Sequence, residues 1–112
     1  MTKKSHEVQV EESSGNVFAD LGLSEPDERL AKADLALAIA REIERRGITQ
    51  SQAADRLGVA QPDVSNITRG RLSGYSIERL TRLLNALGQD VEIRVRPVPG
   101  GAGRGRLRVA AG

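Results

Sequence analysis

Cysteine and tryptophan are absent from the 112 residues, and the only aromatic side chains are Phe18 and Tyr75. Without cysteine the chain has no disulfide, no thiolate metal site and no thiol nucleophile, a composition that fits a reducing cytoplasm. With so few rings, a core has to be assembled from Leu, Ile, Val and Ala. These suit close helix packing, so an α-rich fold is expected. The single histidine, His6, lies in a polar N-terminal stretch. No carboxylate pair accompanies it, and no glycine-rich phosphate loop is framed by strand and helix. The chain is therefore not expected to be an enzyme or to carry a cofactor or metal. No apolar run approaches the roughly 20 residues of a membrane span, and the two N-terminal lysines precede no apolar signal core. A soluble, cytoplasmic protein with no membrane partner is the expectation.

What is present is unevenly distributed. The net charge of +2 is too small to argue for nucleic acid by itself, so position along the chain matters more than the total. Residues 1–20 carry four acids against two lysines, whereas residues 91–112 carry five arginines against the single acid Glu92. Residues 1–15 are polar, rich in Glu and Ser, and show neither hydrophobic period, as expected of a disordered arm. Residues 16–24 hold the apolar cluster Val17, Phe18, Leu21 and Leu23, which needs covering either by the chain's own helices or by another protein.

Residues 25–89 read as helices. Ser24 is placed as an N-cap, Pro26 and several acids fill the first turn, and Arg45, Arg46 and Gly47 close a long helix. Its stripe Leu30, Ala33, Leu37 and Ala40 follows the helical period, while Leu35, Ile39 and Ile43 widen the apolar surface. One face is expected to pack the core and the flank to meet a partner. Thr49 caps a second helix ending at Leu57, Gly58 turns the chain, and a third helix starts with Pro62 in its first turn. Ser76 caps a fourth helix with the stripe Ile77, Leu80, Leu84 and Leu87, closed by Gly88. Residues 90–97 then alternate, with Val91, Ile93 and Val95 opposite Glu92, Arg94 and Arg96, as in a strand. A lone strand needs a ladder partner, and a second copy of the chain is favoured over the N-terminal cluster or a partner's sheet. Residues 98–112 form a Gly/Arg tail read as unable to pack, serving either to lie along phosphate or to aid solubility.

The second and third helices carry the informative spacing. Ala54 supplies the small residue needed where two helices cross closely. Gly58 follows four residues later between Leu57 and Val59, and Val64 with Ile67 gives the third helix an inward face at i and i+3. Those inward residues turn Gln61, Asp63, Ser65 and Asn66 outward. Gln and Asn bond bidentately to adenine, Asp accepts from cytosine N4 or repels the backbone, and Ser is permissive. Each also has a bland role as a solvated side chain or cap, Gln61 above all. Gln50, Thr68, Arg69, Arg71 and Ser73 surround this face as phosphate contacts, the two arginines having helix-carbonyl capping as their alternative.

The stretch "TQSQAADRLGVAQPDVSNITRG" resembles the Cro/lambda-repressor-like (XRE) helix-turn-helix family over about residues 30–87. The resemblance implies an all-α, lambda-repressor-like domain of four to five helices with one C-terminal β-strand and flexible termini. The wider frame of "GNVFADLG", "QPDVSNITRG" and "ALGQDVEIRV" resembles HigA-type antitoxins encoded beside RelE-like ribonuclease toxins. That finer resemblance implies a homodimer that represses its own promoter at a palindromic operator in double-stranded DNA. It further implies that a segment outside the reading helix covers a RelE/HigB-like toxin. Val17, Phe18, Leu21 and Leu23 are the candidates for toxin binding, and Val91, Ile93 and Val95 for dimerisation. A free-standing repressor without a toxin is the alternative, and the basic tail is not part of the family pattern.

Overall fold

Helix ends in this chain are written in hydrogen bonds. Ser24 accepts the Asp27 amide on its Oγ at 3.3 Å, and α1 runs from Glu25 to Arg46 with Pro26 where no donor is needed. Acids in its first turn and Arg45 and Arg46 in its last complement the macrodipole. In the computed structural model, which describes residues 7–8, 24–101 and 103–110, three further helices follow. These are α2 (Gln50–Leu57), α3 (Gln61–Thr68) and α4 (Ile77–Ala86). Thr49 and Gln52 form a reciprocal capping box on α2, at 3.1 and 2.9 Å. Ser76 caps α4 through the Arg79 amide at 3.0 Å.

The helices close around one core. α1 lies against α4 and α3, and α2 lies mainly against α3. Ile39, Leu80 and Leu87 are each at most 1% exposed, and no buried side-chain polar atom among the described residues lacks a hydrogen bond. The inward face of α1 is Ala31, Leu35, Ala36, Ile39 and Ile43. This corrects the expectation for Leu30, Ala33 and Leu37, which point outward, Leu30 and Leu37 being 53% and 48% exposed. Five residues turn a helix through roughly 140°, so the stripes beginning at Leu30 and Leu35 lie nearly back to back. Both obey the helical period. The branched set at 35, 39 and 43 is the one that α4's leucines meet.

A buried carboxylate ties the far end of this pair. Glu42 accepts from Arg45 Nε at 3.0 Å and Nη2 at 2.6 Å, and from Arg46 Nε at 2.7 Å. Arg46 also donates through Nη2 to the Leu87 carbonyl, satisfying an acceptor that the end of α4 would leave unpaired. Gly88, at φ 81°, leaves room for this: a Cβ there would stand 3.0 Å from Arg46 Nη2. The hydrogen bonds from Arg45 and then Arg46 lower the Glu42 pKa from 4.5 to about 2.

Two extended segments finish the described chain. The strand expected over residues 90–97 is a two-residue strand, β2 (Ile93–Arg94), paired antiparallel with β1 (Glu7–Val8) in the registers Glu7↔Arg94 and Val8↔Ile93. The expected ladder partner was a second copy; on this edge it is the chain's own N-terminal region, β1 lying within the stretch read as an unstructured arm. Pairing uses main-chain groups that every residue carries, so no side-chain period announced it. Val91 and Ile93 are half-buried, whereas Val95 is 55% exposed. The tail also differs from expectation, since Leu107 and Val109 pack half-buried against the core and Arg106 Nε stands 3.9 Å from Asp27 Oδ1. Within a glycine-rich context, the alternation Arg106, Leu107, Arg108, Val109 still gives an extended chain one apolar edge.

Two outcomes test this packing. Urea unfolding of Ile39→Ala should show a loss of about 2–5 kcal/mol, whereas Leu30→Ala should stay within about 0.5 kcal/mol of the parent; equal losses would mean α1 is rotated. Because folding lowers the Glu42 pKa, its contribution is complete above pH 4.5 and is lost as pH falls towards about 2. The gap in thermal midpoint between the parent and Glu42→Gln should therefore be widest near neutrality and close across that window.

Candidate nucleic-acid interface

The α2–α3 pair is brought together by small side chains. Ala53 and Ala54 are 0% and 4% exposed, and Val64 and Ile67 of α3 are 1% and 2% exposed in the same cluster. Ala54 was legible as the close contact; Ala53, the more deeply buried of the two, was not. Gly58 takes a left-handed conformation (φ 70°) at the end of α2, which a residue with a Cβ adopts only at a cost. The following Val59 amide donates to the Ala54 carbonyl at 3.1 Å. With Val64 and Ile67 inward, the opposite side of α3 shows Gln61, Pro62 and Arg69 exposed, with Ser65 and Asn66 half-buried between them. Pro62, read from sequence only as a helix starter, thus belongs to the presented face.

Gln50 links both ends of that face. Gln61 Nε2 donates to Gln50 Oε1 at 2.8 Å, and Gln50 Nε2 donates to Thr68 Oγ1 at 3.2 Å. Thr68 in turn donates to the Ser65 carbonyl at 3.2 Å. One amide on α2 therefore braces the first and last residues of α3, joining residues assigned separately to base and phosphate contact.

Asp63 departs from its expected place among the base contacts. Its Oδ1 accepts from the Tyr75 hydroxyl at 2.7 Å, and its Oδ2 accepts from the Ala60 amide at 3.3 Å. Arg79 Nη2 lies 3.7 Å from Oδ2, and the Arg79 guanidinium stands 5.0 Å from the Tyr75 ring centre. The third helical position explains the turn inward, because an unpaired amide at the helix start and a buried phenol are both in reach. The Tyr75 hydrogen bond holds the Asp63 carboxyl below the usual carboxylate range, with the Ala60 amide and Arg79 acting the same way against burial. The Asp63 hydrogen bond, with burial, pushes the Tyr75 phenol above its ordinary value. Asn66 joins the cluster, Nδ2 donating to the Tyr75 hydroxyl at 3.2 Å. Sequence reasoning missed Tyr75, although a lone tyrosine in a ring-poor chain carries a hydroxyl that needs a partner when buried.

Arg69, Arg71 and Ser73 are exposed around the α3–α4 loop. Neither guanidinium makes an ion pair or side-chain hydrogen bond among the described residues, so the carbonyl-capping alternative is not used. Carbonyls in the last turn of α3 are met by the main chain instead, as where the Arg71 amide donates to the Asn66 carbonyl at 2.8 Å. The result is a polar helix face edged by two unneutralised cations, complementary to a groove lined by phosphate. The dimerisation candidates Val91, Ile93 and Val95 flank or form β2, apart from this face in the chain. The candidates Val17, Phe18, Leu21 and Leu23 lie outside the described residues. Among the described residues, no group of three His, Asp or Glu side chains is placed to hold a metal, and no helix is long and apolar enough to cross a membrane.

Comparison with known proteins agrees with this geometry. Residues 17–96 match the family described as a helix-turn-helix domain. A solved structure assigned as an XRE family transcriptional regulator is 44% identical, with a TM-score of 0.75, the match covering 80% of this chain and 100% of that one. No curated protein matches the chain. A helix pair braced by Ala54, Gly58, Val64 and Ile67, within a sequence and fold shared over that extent, places the chain in the helix-turn-helix, XRE family of DNA-binding transcriptional regulators.

Proposed function

We propose that the chain binds a palindromic operator as a homodimer, represses its own promoter, and also serves as the antitoxin of a RelE/HigB-like ribonuclease. The observation carrying the operator reading is the outward row of α3, with Gln61, Ser65 and Asn66 beside the unpaired Arg69 and Arg71. In this reading the polar row meets base edges in a major groove, and the arginines with Gln50 and Ser73 meet phosphate. Asp63 and Thr68 act from behind, orienting their neighbours. Family members act by binding DNA, so the chain is no enzyme. The second edge of β2 is the surface proposed for a second copy, through Val91, Ile93 and Val95.

Support for a protein partner comes from α1, where Leu30, Ala33 and Leu37 form an outward apolar stripe that a monomer gains nothing by exposing. With Val17, Phe18, Leu21 and Leu23 just ahead of α1 in sequence, it forms the proposed toxin-binding region. One observation favours a free-standing repressor: the family match begins at residue 17, so the apolar cluster falls inside the span of the domain's family and not in a separate partner-binding extension.

Binding measurements on the promoter of its own gene test the operator reading. Replacing Asn66 by Ala should relax preference at one base pair, at a cost of about 1–3 kcal/mol. Arg71→Ala should weaken all duplexes alike and lower the salt slope by about 0.9; unchanged binding in both variants rejects the docking. For the partner, the double change Leu30→Glu and Leu37→Glu should abolish inhibition of a co-purified RelE-like ribonuclease while leaving operator affinity intact. Inhibition that survives both changes removes α1 from the toxin surface.

A further inference from the structure

The Asp63–Tyr75–Asn66 cluster has a direction. A carboxylate accepts only, so the single proton of the Tyr75 hydroxyl is committed to Asp63 Oδ1 at 2.7 Å. The hydroxyl can then only accept from Asn66, and the amide must turn its NH2 group towards it, as the 3.2 Å contact from Nδ2 records. Tyr75 is 6% exposed, so water does not compete freely for this arrangement. Arg79, 3.7 Å from Asp63 Oδ2 and stacked over the Tyr75 ring, favours the ionised carboxylate. The Asn66 amide is thereby left with Oδ1 and its second N–H directed away from Tyr75.

We propose that Tyr75 is a positioning residue for base selection, holding the Asn66 amide in the orientation that accepts adenine and rejects guanine. The inference rests on the operator-binding reading of α3. Adenine presents N7 as acceptor and N6–H as donor in the major groove, whereas guanine presents two acceptors, N7 and O6. The held amide matches the first pattern and sets its oxygen against O6 in the second. An amide free to turn would offer its NH2 group to guanine, so the discrimination comes from the fixed orientation and not from asparagine alone.

The test uses the full chain and its own promoter duplex, with all four base pairs placed in turn at the position that Asn66→Ala relaxes. The parent should prefer adenine there. Tyr75→Phe keeps the ring but removes the hydroxyl, and should cut the adenine-over-guanine ratio about tenfold with the salt slope unchanged. Asp63→Asn, which keeps the volume but allows the proton chain to reverse, should lower the same ratio while thermal unfolding confirms a folded domain. A ratio unaltered in both variants while Asn66→Ala abolishes it overturns the role of Tyr75 and leaves the operator reading standing. A parent preference for any other base at that position also overturns it. If Asn66→Ala relaxes no position, the α3 reading itself fails, and this inference fails with it.

Discussion

The polar face of the helix-turn-helix depends on the rotation of one eight-residue helix. Val64 and Ile67 are held against Ala53 and Ala54, and small side chains on α2 let the two helices approach closely enough to leave no freedom to roll. A turn of α3 by one residue, about 100°, would carry the Asn66 amide to the buried place of Ile67 and Val64 out to the half-exposed place of Ser65. The energetic penalty for that is large on both counts. Burial thus selects the surface, because the outward row is whatever the inward pair leaves over.

Polar side chains then divide by their neighbours and not by their type. Asp63 and Arg79 fold into a network with Tyr75, while Arg69 and Arg71, a few residues away, remain unpaired. A helix start offers unpaired amides and a loop end does not, so the acid is drawn in and the cations stay out. The same logic acts at the other end of the core. Glu42 is buried on α1 but accepts from two arginines, and Arg46 carries that connection on to the end of α4. Such a pair is tolerable inside a protein only when the carboxylate is fully met.

α1 shows where pattern reading loses its footing. Its apolar residues make two stripes, nearly back to back, each compatible with a core-facing helix, and the expectation favoured the stripe at Leu30, Ala33 and Leu37. The leucines of α4 complement Leu35, Ile39 and Ile43 instead, leaving the first stripe on the surface as a candidate partner site. The pairing of β2 with β1 and the docking of the tail were hidden for a related reason. The β1–β2 ladder rests on main-chain groups common to all residues. The docking of Leu107 and Val109 rests on an alternation of four residues inside a glycine-rich tail, too short to stand out from its surroundings.

Taken alone, the amino-acid sequence determined the helices and the helix-turn-helix. Caps at Ser24, Thr49 and Ser76, the turn glycines, and the spacing of Ala54, Gly58, Val64 and Ile67 are local features, readable within one or two helical turns. It also determined the side of α3 on which Gln61, Ser65 and Asn66 lie, since that follows from the two residues that face in. Only the tertiary structure decided the inward side of α1, the partner of β2, and the withdrawal of Asp63 from the presented row. Each of these depends on groups brought close from elsewhere in the chain, Tyr75 lying twelve residues from Asp63 and Leu87 forty-one from Arg46. Contact energies of that kind depend on distance in space, which no local pattern records.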